Sequence, residues 1–400
     1  MNQTVFNEVV EKLQSCTCGG HHPIQFDQII VEEGALAKVA PYLGEKGFVR
    51  PVIITDEPTF GAAGERLAAF LQEAGNSSSV CILEKNAALD VVADEASIVQ
   101  AMLAAAPGTD VLLAVGSGTI HDVTRFAAFK LSLPFVSIPT AASVDGFTSA
   151  GAPVILRGTK TTVQTVPPVA LFADLTVLVQ APRELAAAGF GDMLGKCTSL
   201  ADWRVSHLLA DEPYCSLAES ITRASLERCH ANIELIRSHS SDGIKILLEA
   251  LIISGLVMLS LDHSRPASGG EHHLSHYWEM AFLREQKPQI LHGAKVGAAT
   301  VVIAKLYQQL AAELGPKDAE RLPEQFRERY QSRWKEIAAA LRDVPDPAEL
   351  IVWLRTAGAG TAPSELGVHD DLLQESIQRA DRIRPRHTGL WLRNRLNSGT

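Results

Sequence analysis

The sequence predicts an α/β fold in its first half, built on a doubly wound parallel sheet, and an all-α second half. Three observations predict this division. Short apolar runs alternate with stretches of helical composition up to residue 172, strand signals stop after Pro182, and 400 residues exceed what one hydrophobic core usually serves. We therefore expect an α/β domain over 1–178 and a helical domain over 179–400.

The strands of the first half are predicted from continuous apolar runs, which are typical of a parallel sheet covered on both faces. Such runs occupy 28–31, 52–56, 80–83, 110–115, 135–138 and 169–172. Runs at 154–156 and 161–163, with a glycine-containing turn at 157–160 between them, predict a hairpin. Helical composition predicts helices at 34–43, 64–74 and 95–105 between the strands, and at 186–209, 216–238, 243–261 and 297–314 in the second half.

Composition excludes several classes of protein. The chain is 46% hydrophobic and 20% charged, with a formal net charge of −10 and no run rich in lysine or arginine, which argues against a surface for nucleic acid or anionic membranes. The N-terminus lacks the basic and apolar segments of a signal peptide, and the apolar run at 246–261 is interrupted by Glu249, Ser254 and Gly255. We therefore expect a cytoplasmic protein with no membrane insertion, whose longest apolar helix is buried.

The six cysteines are too sparse for a disulfide scaffold in a chain of this length, so reduced thiols are expected. Cys16 and Cys18, followed by His21 and His22, resemble a small metal cluster. A single residue separates the two cysteines, whereas zinc loops usually place about two to four residues between them. A structural or incidental role for this segment is the favoured interpretation.

A glycine-rich turn, GSGTIHD at 116–122, follows the predicted fourth strand. Glycines at such a turn let the backbone approach a pyrophosphate, and the N-terminus of the next helix attracts its charge. This is a Rossmann-like dinucleotide site in outline, although the third glycine of the usual motif is missing and a tight turn without a ligand is the alternative. Asp56, at the end of the second strand, is either an acceptor for the cofactor ribose that favours NAD over NADP or only a turn residue.

The segment PTAASVDGFTS at 139–149 is a long loop of small polar residues after a buried strand. In an open α/β sheet such loops line the cleft where ligands bind. Thr140, Ser143 and Ser149 are candidates for hydrogen bonds to a cofactor, and Asp145 is a candidate for a bond to a substrate hydroxyl. A plain surface connection is the alternative.

The segment SRPASGGEHHLSH at 264–276, together with LHG at 291–293, predicts a metal site. Imidazoles are the commonest side-chain ligands of divalent metals, and the spacing of His272 and His276 places both on one face of a helix. The alternative is chance clustering in a chain with 13 histidines.

Five motifs in this order resemble the glycerol-1-phosphate dehydrogenase family: GSGTIHD, PTAASVDGFTS, GFGDMLGK at 189–196, SRPASGGEHHLSH and LHG. The family contains archaeal enzymes and bacterial members encoded beside arabinose genes, and it is related to glycerol dehydrogenases, iron-containing alcohol dehydrogenases and dehydroquinate synthases. The resemblance implies a dehydroquinate synthase-like fold, NAD or NADP as cofactor, and one divalent metal, zinc or nickel, held by Asp192, His272 and His292. Asp192 has an alternative role in a helix ion pair with Lys196. The resemblance makes His276 a substrate contact and His273 a bystander.

The resemblance also implies two sets of site residues. Asp145, Asp192 and His276 touch the substrate and are the candidate catalytic residues. The implied cofactor contacts are Asp56, Gly118, Thr119, Ile120, His121, Asp122, Thr140, Ala141, Ala142, Ser143 and Ser149.

The implied reaction is reversible hydride transfer between NAD(P)H and the carbonyl carbon of dihydroxyacetone phosphate, which gives sn-glycerol 1-phosphate. Its rivals are a glycerol or polyol dehydrogenase acting on an unphosphorylated substrate, a lyase of the dehydroquinate synthase type, and an NAD-binding sensor without activity. Arg265, Lys196 and Lys295 are candidates for binding the substrate phosphate. A homodimer or larger homo-oligomer is implied as well.

Overall fold

The computed structural model describes residues 4–20 and 23–397 of the chain. The strands are β1 Gln28–Glu32, β2 Pro51–Thr55, β3 Ser79–Ile82, β4 Val111–Gly116, β5 Phe135–Pro139, β6 Gly151–Leu156, β7 Thr159–Gln164 and β8 Ala170–Asp174. Six of them form one parallel sheet in the order β1-β8-β5-β4-β2-β3, and β6 and β7 form an antiparallel hairpin. The parallel sheet of the α/β prediction is therefore confirmed.

Helices cover the sheet, and three of them, Val39–Lys46, Glu65–Glu73 and Glu95–Ala104, lie close to the predicted segments. The helix predicted from residue 34 begins later, because Gly34 has the left-handed φ of 75° and a 3-10 turn, Ala35–Lys38, comes first. A π-helical segment, Phe60–Gly64, likewise precedes the helix predicted at 64–74. The α-helices are α1 Thr4–Gln14, α2 Val39–Lys46, α3 Glu57–Thr59, α4 Glu65–Glu73, α5 Glu95–Ala104 and α6 Gly118–Leu131.

The second half is helical, as predicted, but two of the predicted helices are each divided. The chain breaks at Gly195 inside the segment predicted at 186–209, and at Asn232 inside that predicted at 216–238. The helices are α7 Leu175–Leu178, α8 Arg183–Leu194, α9 Lys196–Ala210, α10 Ser216–Ala231, α11 Ile233–Ser238, α12 Ser241–Leu261, α13 Gly270–Arg284, α14 His292–Glu313, α15 Glu324–Arg342, α16 Pro347–Ala357, α17 Asp370–Arg379 and α18 Gly389–Asn397, with 3-10 segments at Pro316–Arg321, Pro363–Leu366 and Ala380–Arg382.

The largest apolar core belongs to the helical half and also takes in the start of the chain. Phe6 and Leu13 of α1 are buried in it, and so are Ile29 and Val31 of β1. Two smaller apolar clusters contain residues of the sheet and of the helices that cover it. Although α1 comes first in the sequence, it packs with the helical half. The domain division between residues 178 and 179 stays a prediction.

Of the helices in the described part of the chain, α12 is the one long and apolar enough to cross a membrane. In its most apolar window, 83% of the residues are buried inside the protein. Glu249 lies within this helix, fully buried, and forms an ion pair of 2.7 Å with Arg228 of α10. The packing agrees with the buried helix expected from the sequence.

Between β2 and β4 the sheet has a switch point, where the direction in which successive strands are added to the sheet reverses. These two strands are hydrogen-bonded neighbours, yet the chain passes from β2 to β3 on one side and from β4 to β5 on the other. Ligands of open α/β sheets bind in the crevice outside the carboxyl ends of strands at such a point. Asp56 and the glycine turn at 116–118 therefore both lie at this edge.

Candidate active site

Three side chains from three helices converge at one place: Asp192 of α8, His272 of α13 and His292, the first residue of α14. Their ligand atoms all lie within 4.8 Å of one another, and Asp192 Oδ1 is 3.7 Å from His272 Nε2. Asp192 is fully buried, whereas His292 is partly exposed. One carboxylate and two imidazoles suit a divalent metal and leave coordination positions open for substrate oxygens.

Glu271 orients the first of these imidazoles. A hydrogen bond of 2.8 Å joins Glu271 Oε1 to His272 Nδ1, so that Nε2 is the ring nitrogen facing Asp192. Glu271 also accepts hydrogen bonds from Gly269 N and from Thr198 Oγ1, at 2.6 Å each. A carboxylate behind a ligating histidine is the usual support of a metal site. We did not assign this role to Glu271 from the sequence, although an acid directly before His272 was a visible signal.

The protonation state of the two histidines also suits a metal. Burial lowers the pKa values of His272 and His292 well below the usual value, so both rings are neutral and each keeps a lone pair. Burial, and then the charge of Asp145, raises the pKa of Asp192 to about 7. Burial disfavours the charge of Lys196, but Asp145 and Asp192 outweigh it and raise the pKa of this lysine. Lys196 therefore remains a fixed positive charge beside the acid.

The ion pair predicted as an alternative role for Asp192 is present as well. Lys196 Nζ lies 3.3 Å from Asp192 Oδ1 and 2.7 Å from Asp145 Oδ2. Asp145 Oδ2 also accepts a hydrogen bond of 2.8 Å from Ser254, and the backbone N–H of Asp145 donates to Asp192 Oδ2 at 3.0 Å. The Asp145 carboxylate is thus engaged by protein partners and connects the loop at 139–149 to α8.

A cavity of about 380 Å³ extends from the histidines to the carboxyl edge of the sheet. His276, one helical turn after His272, lies on its wall, with ring centroids 6.0 Å from those of His272 and of His292. His273 points elsewhere: it is fully buried, and its ring nitrogens have no hydrogen-bond partner among the described residues. The cavity joins the metal-type cluster to the glycine turn.

About half of the predicted cofactor contacts line this cavity, and the others do not. His121 is fully buried and uses both ring nitrogens, at 2.9 Å from Ser117 O and 2.8 Å from Ser137 Oγ. The predicted cofactor contacts that line the cavity are Gly118, Thr119, Asp122, Ser143 and Ser149. The predicted contacts that are buried away from the cavity are Ile120, His121, Thr140, Ala141 and Ala142.

Asp56 behaves as the turn residue that the sequence offered as its alternative role. Its side chain accepts a hydrogen bond of 2.9 Å from Thr59 N and caps α3. It lies at the carboxyl edge of the sheet but is not part of the cavity wall.

The N-terminus of α6 also forms part of the cavity wall. Ser117 stands at its N-cap position, with its hydroxyl 2.7 Å from that of Ser143, and Gly118 and Thr119 open the helix. A Cβ at Gly118 would lie 3.0 Å from a methyl group of Val144, so the loop packs closely against the start of this helix. Exposed N–H groups and the helix dipole make this end a fitting place for a pyrophosphate.

Three cations on the cavity wall form a candidate phosphate site: Lys160 of β7, Lys295 of α14 and Arg384, which precedes α18. Both lysines contact the carboxylate of Glu279, at 2.8 and 2.9 Å. Arg384 donates to Thr162 Oγ1 at 3.0 Å. Nothing in the local sequence marked Lys160 or Arg384, because a hairpin and the last part of the chain bring them here.

Two of the three predicted phosphate ligands lie elsewhere. Arg265 is not on the cavity wall and donates to Glu212 Oε2 at 2.5 Å. Lys196 is fully buried behind the histidines, against Asp145 and Asp192. Only Lys295 of the predicted set lines the cavity.

Comparison with known proteins first defines the class. A family model described as iron-containing alcohol dehydrogenase matches residues 30–182. A maleylacetate reductase from Rhizobium sp. strain MTP-10005 superposes with a TM-score of 0.65 at 17% identity, covering 94% of this chain and 96% of that one. A glycerol dehydrogenase from Schizosaccharomyces pombe has a TM-score of 0.65 at 16% identity, covering 92% and 86%. The fold is that of the iron-containing alcohol dehydrogenases and their dehydroquinate synthase-like relatives, as expected.

Sequence relatives then define the family. The chain is 46% identical to a glycerol-1-phosphate dehydrogenase [NAD(P)+] of Bacillus licheniformis over 96% of its own length and 93% of the relative's. A protein of the same name from Geobacillus stearothermophilus is 44% identical over 99% of both chains, and one from Pyrococcus furiosus is 30% identical over 91% and 92%. The chain belongs to the glycerol-1-phosphate dehydrogenase family, which confirms the resemblance stated from its motifs.

Proposed function

We propose that this protein is an NAD(P)-dependent glycerol-1-phosphate dehydrogenase, which reversibly converts dihydroxyacetone phosphate to sn-glycerol 1-phosphate. The observation that carries the proposal is the cluster of Asp192, His272 and His292 at one end of a cavity that the N-terminus of α6 also lines. Relatives covering nearly the whole chain carry the same name, which supports the same substrate here.

The donor set fits one divalent ion, which we propose to be zinc or nickel, and the helix terminus fits a dinucleotide. When bound, the metal supplies Lewis acidity toward the substrate carbonyl oxygen, and the nicotinamide supplies the hydride. Glu271 holds His272 in one orientation, and Lys196 with Asp145 holds Asp192. These contacts fix the site before substrate arrives, which removes reorganisation from the reaction.

We assign proton transfer at the substrate C2 oxygen to His276. Burial lowers its pKa well below the usual value, so the ring is neutral in the resting protein. It lines the cavity within one helical turn of His272.

We assign phosphate recognition to Lys160, Lys295 and Arg384. The two lysines share one carboxylate, that of Glu279, so the group of four side chains keeps an excess of positive charge. Charge-assisted hydrogen bonds from such a cluster favour a phosphate ester over an unphosphorylated polyol. This distinguishes the proposed substrate from glycerol or dihydroxyacetone.

The decisive assay follows NADH consumption with dihydroxyacetone phosphate, with dihydroxyacetone and without substrate, before and after treatment with a chelator. We expect oxidation that requires the phosphorylated ketone and is lost on chelation. If dihydroxyacetone were the preferred substrate, the protein would be a polyol dehydrogenase instead. No chelator-sensitive oxidation with either ketone excludes a dehydrogenase, and conversion of a seven-carbon phosphorylated sugar acid without net NADH change would indicate a lyase.

We also propose a cytoplasmic homodimer or larger homo-oligomer, on the strength of the family resemblance alone. Light scattering of the purified protein measures its mass directly. A monomer at micromolar concentration would contradict this part of the proposal.

A further inference from the structure

Two cysteines near the start of the chain and a third one far along the sequence meet outside the cavity. Cys16 and Cys18 follow α1, and Cys215 is the residue before α10. Their sulfur atoms all lie within 4.8 Å of one another, and the Sγ atoms of Cys16 and Cys215 are 3.7 Å apart across 199 residues of chain. His21 and His22, which the sequence groups with these cysteines, lie outside the described residues.

The separation of the sulfur atoms suits a common metal ion. Zinc–sulfur bonds of about 2.3 Å in a tetrahedron place neighbouring sulfurs roughly 3.8 Å apart. A disulfide requires about 2.05 Å, and all six cysteines of the chain are thiols. The 3.7 Å between the Sγ atoms of Cys16 and Cys215 is compatible with such an edge and is too long for a covalent bond.

Packing of the N-terminal helix, and not local spacing, brings the three thiols together. Phe6 and Leu13 anchor α1 in the helical core, which carries the following turn to the start of α10. There Cys215 occupies the N-cap position, and its sulfur accepts a hydrogen bond of 3.4 Å from Ala218 N.

The cluster differs in chemistry from the candidate active site. Three sulfur donors are soft ligands that select zinc and similar thiophilic ions, whereas Asp192 with two histidines offers oxygen and nitrogen. Cys215 is buried, Cys16 is partly buried and Cys18 is exposed, so a fourth coordination position on the side of Cys18 is open to solvent.

We propose that Cys16, Cys18 and Cys215 bind a zinc ion that fastens the start of the chain to α10. Binding replaces the thiol protons by zinc, so up to three protons are released per ion and no redox step is involved. The site does not depend on the proposed dehydrogenase activity.

Metal content tests the proposal. Wild-type protein, purified under reducing conditions and loaded with zinc, should contain two ions per chain. The variant Cys16→Ser/Cys215→Ser should contain one and keep its catalytic activity, and His272→Ala/His292→Ala should contain one held by the thiols. Cys81→Ser, which removes a cysteine outside the cluster, is the matched control and should still contain two.

Cobalt(II) provides a second readout that does not depend on stoichiometry. In the His272→Ala/His292→Ala background, cobalt should give the intense thiolate-to-metal charge-transfer absorption that an oxygen and nitrogen site lacks. The absorption should disappear when Cys215→Ser is added and persist with Cys81→Ser. A His272→Ala/His292→Ala variant that binds no zinc, a cobalt spectrum without thiolate bands, or a Cys16–Cys215 disulfide found by mass spectrometry in the loaded protein would each overturn the proposal.

Discussion

Glu279 is the residue around which the proposed phosphate site is arranged. Burial disfavours its charge, but Lys160 and Lys295 outweigh this effect and lower its pKa. Glu279 is thus a permanent anion that holds two lysines in place while neutralising only one of them. Arg384, the third cation of the site, contacts the hydroxyls of Ser268 and Thr162.

Replacing Arg384 should weaken binding of the phosphorylated substrate. A charge-assisted hydrogen bond contributes roughly 1.5–3 kcal/mol, so we expect Arg384→Met to raise the KM for dihydroxyacetone phosphate about 10- to 100-fold and to change kcat less. Steady-state kinetics measure both constants. The control is Arg265→Met, which removes a cation that does not line the cavity. Equal KM values in the two variants would show that Arg384 does not bind the substrate phosphate.

Glu212 should make stability depend on pH. Burial raises its pKa, but hydrogen bonds from His387 and Arg265 outweigh this and lower the pKa to about 2. The unfolded value is near 4.5, so the stabilisation is fully present above about pH 5 and is lost as pH falls toward 2. We expect wild type to exceed Glu212→Gln in unfolding free energy at pH 7, with less than half of that difference left at pH 3.

Urea unfolding of both proteins between pH 7 and pH 3 measures this difference. A matched control is Glu45→Gln, which changes an exposed glutamate on α2. A difference between wild type and Glu212→Gln that grows as pH falls would contradict the assigned cause.

Two elements, α8 and α14, approach so closely that glycines form their contact. A Cβ at Gly293 would overlap the carbonyl oxygen of Ala188, and one at Gly191 would overlap that of Gly293. Gly191 precedes Asp192 and Gly293 follows His292, so the glycines that set the distance between the helices also set the distance between two proposed ligands.

Gly293→Ala should therefore disturb packing and site together. Overpacking of this kind costs roughly 1–3 kcal/mol, and the shift of α14 should also weaken zinc binding at the Asp192 cluster. Gly44→Ala is the control, because nothing lies within 4 Å of a Cβ at this exposed helical position and stability should rise by roughly 0.5–1 kcal/mol. Denaturant unfolding and zinc titration measure the effects. An unchanged zinc affinity in Gly293→Ala would show that the packing of α8 against α14 does not control metal binding.

How far the elements were predictable depends on their burial. Strands such as β4 and β5 are buried at every position, so continuous apolar runs identified them. The breaks at Gly195 and Asn232 were not predicted, because the helical composition continues through both and tertiary packing decides them. In the same way the histidines were visible as a motif, whereas Lys160 and Arg384 reach the cavity through long-range folding that no local pattern reports.

On the scale of the whole molecule, the cavity joins the carboxyl edge of the sheet to the helical half. Its wall includes Gly118 and Ser143 on one side and His276 and Lys295 on the other. A dinucleotide in this position contacts both halves, so its binding energy opposes their separation.

Saturation with NADH should therefore stabilise the folded chain. At a free concentration of 100 times Kd, binding to the folded state alone adds about 2.7 kcal/mol to the unfolding free energy. Thermal unfolding of metal-stripped protein with and without NADH measures the shift in Tm. The same experiment with NADP(H) reports the preference between the two cofactors. An unchanged Tm at a concentration that saturates the enzyme in kinetic assays would contradict binding between the halves.

The position of α1 and β1 has a consequence for synthesis of the protein. β1 lies at the edge of the sheet beside β8, and α1 packs in the core that contains α10 and α12. These partners emerge from the ribosome long after α1, and for α10 the delay is roughly 200 residues, or about 10 to 40 s at ordinary elongation rates. During that interval Phe6 and Leu13 lack their packing against α10 and α12, so we expect the apolar face of the nascent α1 to stay largely exposed.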